Sequence, residues 1–193
     1  MSNFIVVSYF TAKTGYEKEA KTLETSLIHH KIEPYHIERV SNMGNWQKNT
    51  LHKARFVLQM MLKFPDYSIV FTDCDSIFHG YPMLFQNLDG ADFACHFRNW
   101  YARQGELLSG TLYFANTPKM RNIVKEWIGV NKNNQQKFEQ RNLERVIRRN
   151  AHKINIYKLP IEYCCIFDDE NRKQIKPMVE HFQASRRLKR GLS

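Results

Sequence analysis

The hydrophobic positions of this chain switch between two spacings. The run FIVVSYF, Phe4 to Phe10, is apolar and β-branched without a break, and predicts a buried strand. In GYEKEAKTLETSLIHH the apolar positions open out, and Tyr16, Ala20, Leu23 and Leu27 fall on one face of a helix. EPYHIERV predicts a second short strand, and SNMGNWQKN a loop by composition. TLHKARFVLQMMLKF returns to helical spacing and is closed by Pro65. YSIVFTD predicts a third strand. This β-α-β-α-β order favours a parallel sheet with helices on its faces.

Beyond it the pattern is less regular. YPMLFQNL predicts a short helix, and ADFACHF and LLSGTLYFAN predict strands. TPKMRNIVKEWIGV predicts a helix with Thr117 as N-cap and Pro118 in its first turn. NQQKFEQRNLERVIRRN predicts another helix. KINIYKLP, EYCCIF and KPMVEHF are three further strand-like runs. The sum is an α/β fold with mixed strands in its second half.

Composition narrows this picture. A chain of 193 residues with 42% hydrophobic and 13% aromatic residues suits one globular domain with its own core. No repeat, linker or low-complexity stretch marks a boundary within residues 1–193. No apolar run approaches the roughly 20 residues that span a bilayer. MSNFIVVSYFTAKTG lacks a basic segment and a small-residue cleavage site, so it reads as a first strand and not as a signal peptide. Cys74, Cys95, Cys164 and Cys165 form neither a CxxC pair nor a disulfide framework, which points to a reducing, cytoplasmic compartment. A net charge of +10 either only aids solubility or favours an anionic partner: a nucleotide, nucleic acid or an acidic membrane surface.

The third strand runs into TDCD. Residues i and i+2 of an extended strand share a face, so Asp73 and Asp75 are expected to project together, with Cα atoms about 6–7 Å apart. At an effective dielectric near 20 such charges repel by about 2–3 kcal/mol. A divalent cation, a basic side chain or a raised pKa must compensate. Ligands of open α/β sheets bind beyond the carboxyl ends of strands, and an oxygen-rich pair there suits Mg²⁺ or Mn²⁺ bridging to a phosphate. The alternative is a pair of turn-forming aspartates, with Asp75 capping the residues after it.

Two families have an Asp-x-Asp at a strand end. DCDSI loosely resembles the nucleophile motif of haloacid-dehalogenase-like phosphatases, and IFDD, Ile166 to Asp169, resembles their late metal-binding pair. That nucleophile normally closes the first strand and not the third, and Ile77 stands where Thr or Val is usual. The second resemblance covers most of the chain, Phe4 to about Lys189. NWQKNTLHKARFVLQMMLKFPDYSIVFTDCDSIFHGYPMLFQNL resembles the donor-binding half of nucleotide-sugar glycosyltransferases of the GT-A fold. ELLSGTLYFANTPKMRNIVKEW resembles their middle segment, and PMVEHFQASRRLK their closing strand. Within that family the chain resembles bacterial and phage nucleotide-diphospho-sugar transferases.

This resemblance implies a GT-A-like, Rossmann-like single domain with a mixed, mainly parallel sheet flanked by helices. Residues 1–80 would be its nucleotide-binding half and 81–193 its acceptor and metal-closing half. It implies Mn²⁺ or Mg²⁺ held by Asp73, Asp75 and His181, with Asp73 also meeting the donor ribose or sugar and His79 as a fallback ligand. Ser8, Tyr9 and Thr11 would contact uracil or ribose. Lys53, Arg55, Ser109 and Gly110 would belong to the donor site, and Arg186, Arg187 or Lys189 would neutralise the diphosphate. Relatives often carry Asp-Gln where this chain has Glu139-Gln140. Helical spacing puts Glu139 on the inward side with Leu143 and Val146, where it is either functional or a hydrogen-bonded structural carboxylate. Asp168, Asp169 and Glu139 are the candidate bases if the reaction inverts. Some relatives have Gly three residues after the metal His, where this chain has Ala184.

Lys137, Arg141, Arg145 and Arg148 recur at helical spacing and form a basic face, which is either solvated or guides a polyanion together with RRLKR, residues 186–190. The acceptor hydroxyl would then lie on hydroxylated phage DNA, on a glycolipid or lipopolysaccharide sugar, or on a protein. A non-catalytic nucleic-acid-binding domain is the other alternative, but such a domain has no need of Asp73, Asp75 and His181 together.

Overall fold

Residues 3–98, 106–168 and 172–188 are described by a computed structural model of the chain. The apolar run at the start forms β1 (Phe4–Thr11), followed by α1 (Tyr16–His29) and β2 (Tyr35–Val40). Two helices, α2 (Trp46–Leu51) and α3 (Lys53–Lys63), lead to β3 (Ser68–Thr72) and a three-residue β4 (Ser76–Phe78). A 3-10 turn at Met83–Asn87 precedes β5 (Phe93–Arg98) and β6 (Glu106–Phe114). Then come α4 (Pro118–Asn133), α5 (Glu139–Asn150), β7 (Ile156–Lys158), β8 (Cys165–Ile166), β9 (Val179–His181) and α6 (Ala184–Leu188).

Six strands form the main sheet in the order β2-β1-β3-β6-β5-β7. β1 pairs parallel with β2 and β3, and β5 with β7, while β6 runs antiparallel to β3 and β5. Helices α3, α4 and α5 cover one face, where Phe56, Met60, Trp127 and Val146 pack on Ile5, Val7, Phe71 and Phe114. The other face buries Phe4, Val6 and Val70 under Leu23 and Leu27 of α1 and Phe85. A small second sheet, β4-β9-β8, sits against this second layer.

Local chemistry explains several boundaries. Thr117 accepts a hydrogen bond from Met120 N and Pro118 fills the first turn of α4, as expected from the sequence. The stretch expected to be a loop already contains the first turn of α2, because Asn45 accepts from Lys48 N and caps it. The expected helix from Asn134 begins only at Glu139. EYCCIF is not a full strand. After Pro160 the chain makes a 3-10 turn, Ile161–Cys164, and only Cys165 and Ile166 pair in a sheet. No disulfide joins the four cysteines, all of which are buried. Among the described residues no helix is long and apolar enough to cross a membrane.

Candidate functional site

β3 stops at Thr72, so Asp73 and Asp75 do not lie in an extended strand. They form a tight turn into β4, in which Ser76 N donates to Asp73 O at 3.2 Å. Asp73 N in turn donates to Gly110 O at 2.9 Å, which fixes the turn against β6. β4 then pairs antiparallel with β9 in a register that sets Ser76 opposite His181. This pairing brings the distant His181 to the two carboxylates, and ligand atoms of Asp73, Asp75 and His181 all lie within 4.8 Å of one another. They line a cleft of about 860 Å³ with Thr11, Ser109 and Glu139.

His181 is 2% exposed. Its Nε2 lies 2.8 Å from Thr111 Oγ1, while Nδ1 is buried with no partner. Burial lowers its pKa to about 4, so the imidazole is neutral at pH 7. With Nε2–H donating to Thr111, the Nδ1 lone pair is left for a ligand. A buried polar atom without a partner costs about 1–3 kcal/mol. One oxygen of Asp75 accepts from Ala184 N at 2.6 Å, at the start of α6. Burial and then the nearby Asp73 charge raise the Asp75 pKa to about 6. Two converging carboxylates and a neutral imidazole with an orphaned nitrogen fit a divalent cation that keeps open positions.

Lys53 forms the other half of the site. Its ammonium is 3.0 Å from Asp73 Oδ1, 2.8 Å from Glu139 Oε1 and 3.1 Å from Ser109 O, and it lies 4.9 Å from the centre of the Phe71 ring. Burial opposes its charge, but Asp73 and Glu139 outweigh burial and hold it protonated. Ser109 Oγ donates to Glu139 Oε1 at 2.7 Å, whereas Glu139 Oε2 is buried with no partner. Three carboxylates (Asp73, Asp75 and Glu139) against one ammonium leave two negative charges when all are ionised, which a divalent cation matches.

The remaining sequence candidates divide. Tyr9 and Thr11 line the cleft, and the Tyr9 hydroxyl donates to Asn49 O at 2.8 Å. Ser8 does not line it; alternation along β1 places Ser8 with Phe4 and Val6, buried and with its hydroxyl unpartnered. Gly110 lines the cleft, but as the seat of the His181 ring: a Cβ there would fall 3.0–3.2 Å from the ring atoms. Lys53 is tied up inside the cleft wall, and Arg55 is exposed outside it. Glu139 is buried, facing inward. Asp168 does not join the cluster; it is exposed and ion-paired with Arg186. Asp169, Lys189 and the side chain of Arg187 lie outside the described residues. His79 is not at the cluster, since its Nε2 is 2.9 Å from Glu180 Oε2. On α5 the basic face is partly neutralised: Arg141 and Arg148 share Glu144 at 3.2 and 2.9 Å.

Sequence reasoning missed Thr111, a threonine inside an apolar strand, Trp46, in the stretch expected to be a loop, and Phe138, in the stretch expected to be a helix. Thr111 carried a detectable signal, since it lies one residue after Gly110 in the same strand.

No family model matches the chain, and no curated protein matches it in sequence. Solved structures do. A glycosyltransferase involved in the glycosylation of the major capsid of PBCV-1 superimposes with a TM-score of 0.71 at 13% identity, over 97% of this chain and 98% of that one. The apo structure of the bifunctional glycosyltransferase WbbM gives 0.62 at 13% identity, and the glycosyltransferase GlyE of Streptococcus pneumoniae TIGR4 gives 0.58 at 16%. Each covers 94% of this chain, which spans 46% of the WbbM chain and 55% of the GlyE chain. At these identities the likeness establishes the shared GT-A fold.

Proposed function

We propose that this chain is a metal-dependent glycosyltransferase that moves a sugar from a nucleotide diphosphate, UDP before other nucleotides, to a hydroxyl acceptor. The observation that carries this reading is the convergence of Asp73, Asp75 and the unpartnered Nδ1 of His181 in one cleft at the end of β3. Shared fold with glycosyltransferases supports it.

Asp73, Asp75 and His181 would hold Mn²⁺ or Mg²⁺, which when bound supplies Lewis-acid neutralisation of the departing diphosphate. The chain's own groups do the rest. Thr11 and Tyr9, at the end of β1, meet the nucleoside. The free Oε2 of Glu139 accepts a donor-sugar hydroxyl; burial raises the pKa of that carboxylate, and Lys53 opposes the rise and aims the group. Thr111 orients the His181 ring. In the reaction the bond between the anomeric carbon and the diphosphate oxygen breaks, its electron pair leaving with the diphosphate. The acceptor oxygen bonds to the same carbon, and its proton passes to the departing diphosphate.

A thermal-shift panel of UDP, GDP, CDP and dTDP, each with and without Mn²⁺, tests class, base and metal together. At about 100 times Kd a ligand adds about 2.7 kcal/mol, and the melting point is expected to rise by about 5–10 °C. The rise is expected for UDP with Mn²⁺. No rise with any of the four contradicts the reading.

A further inference from the structure

The donor groups just described leave one part of the cleft without a task. Its mouth is lined by Trp46 and Phe138, two aromatic rings in edge-to-face contact with centroids 5.6 Å apart. Phe138 is 55% exposed, although it immediately precedes the buried Glu139. The pair is held firmly. The Trp46 indole hydrogen-bonds to the Tyr16 hydroxyl. Asn45 caps the helix that Trp46 begins, and Gln47 Nε2 donates to Gln135 O at 2.6 Å, tying α2 to the turn before α5. A fixed aromatic surface with Phe138 exposed and Trp46 half-buried, beside the polar cleft residues Asn42, Asn45 and Glu106, has the composition of a ligand wall and not of a core.

We infer that Trp46 and Phe138 form the acceptor platform and that the acceptor is a neutral saccharide; this rests on the glycosyl-transfer reading. A pyranose has apolar C–H faces that pack on aromatic rings and a rim of hydroxyls that hydrogen-bond to amides and carboxylates. Both kinds of partner meet at this rim. Charge argues against a polyanion here. Arg141, which lines the same mouth, lies 4.0 Å from Glu106 and 3.2 Å from Glu144; Arg148 is held by Glu144 and Arg149 by Glu126. Arginines already paired with carboxylates gain less from phosphates, and Glu106 at the rim repels them.

The test is calorimetric titration of maltotetraose, cellotetraose and chitotetraose, and of single-stranded DNA of roughly 20 nucleotides, into the protein with UDP and Mn²⁺ present. At least one saccharide is expected to bind, with an affinity that does not change between about 50 and 300 mM salt. Phe138→Ala is expected to weaken it by about fivefold or more, and Phe138→Tyr, which keeps the ring, to restore it. Saccharide binding without UDP binding keeps the platform and contradicts the donor reading. UDP binding with no saccharide binding, saccharide binding indifferent to Phe138→Ala, or DNA binding that falls steeply with salt overturns the platform and leaves the donor reading standing.

Discussion

Gly110 and His181 occupy the same space, and only a missing side chain lets them. A Cβ at Gly110 would lie 3.0 Å from Cε1 and 3.1 Å from Nδ1 of a ring that is buried and tied to Thr111. Gly110→Ala is therefore expected to fold but to lose Mn²⁺ affinity by about tenfold or more, because the ring must move off its Nδ1 direction. Electron paramagnetic resonance of free Mn²⁺ during titration measures this, and unchanged affinity would remove His181 from the ligand set. Lys53 offers a second test. Its side chain is 4% exposed and that of Glu139 7%, so Lys53→Met leaves a buried carboxylate without its cation. The expected loss is about 3–5 kcal/mol in urea denaturation, and adding Glu139→Gln should recover a good part of it. The buried position of Lys53 was legible in the sequence, since it lies on the apolar stripe of Val57 and Met60. Its counter-charges were not, because nothing in a helical repeat names a partner from another helix and a distant turn.

At the scale of elements, the site depends on how α4 and α5 hold Glu139. Trp127 of α4 is fully buried, stacks on Phe114 of β6 at 18° and donates its indole N–H to Glu139 O at 3.3 Å. Trp127→Ala is expected to cost about 3–5 kcal/mol, read from urea denaturation, and to lower UDP affinity as well because the first turn of α5 loosens. A stability loss with unaltered UDP affinity would separate Glu139 from the donor site. The long central elements were readable. β1, β3 and β6 are apolar runs with enough length to outvote other readings, and α4 announces itself with Thr117 and Pro118. The short elements were not. β4 has three residues and β8 two, and both exist only because β9 lies between them. EYCCIF carries strand-like residues yet turns after Pro160, a tertiary choice that propensity does not record.

At the scale of the whole molecule, two sheets meet where the chain needs charges together. The main sheet delivers Asp73 and Gly110, the small sheet delivers His181, and the α5 layer delivers Glu139. The sequence showed the like charges of TDCD and the need for compensation. The fold meets that need in three ways at once: Lys53 beside Asp73, a pKa raised to about 6 at Asp75, and His181 beside both carboxylates, with a buried Nδ1 that has no partner. The first two lessen the repulsion without a metal, and the third has no use without a ligand. The most direct measurement is therefore calorimetric titration of UDP into the protein, once with Mn²⁺ and once with EDTA. The account predicts binding with Mn²⁺ that weakens by about tenfold or more in EDTA. Equal affinity in both, or no binding in either, would contradict it.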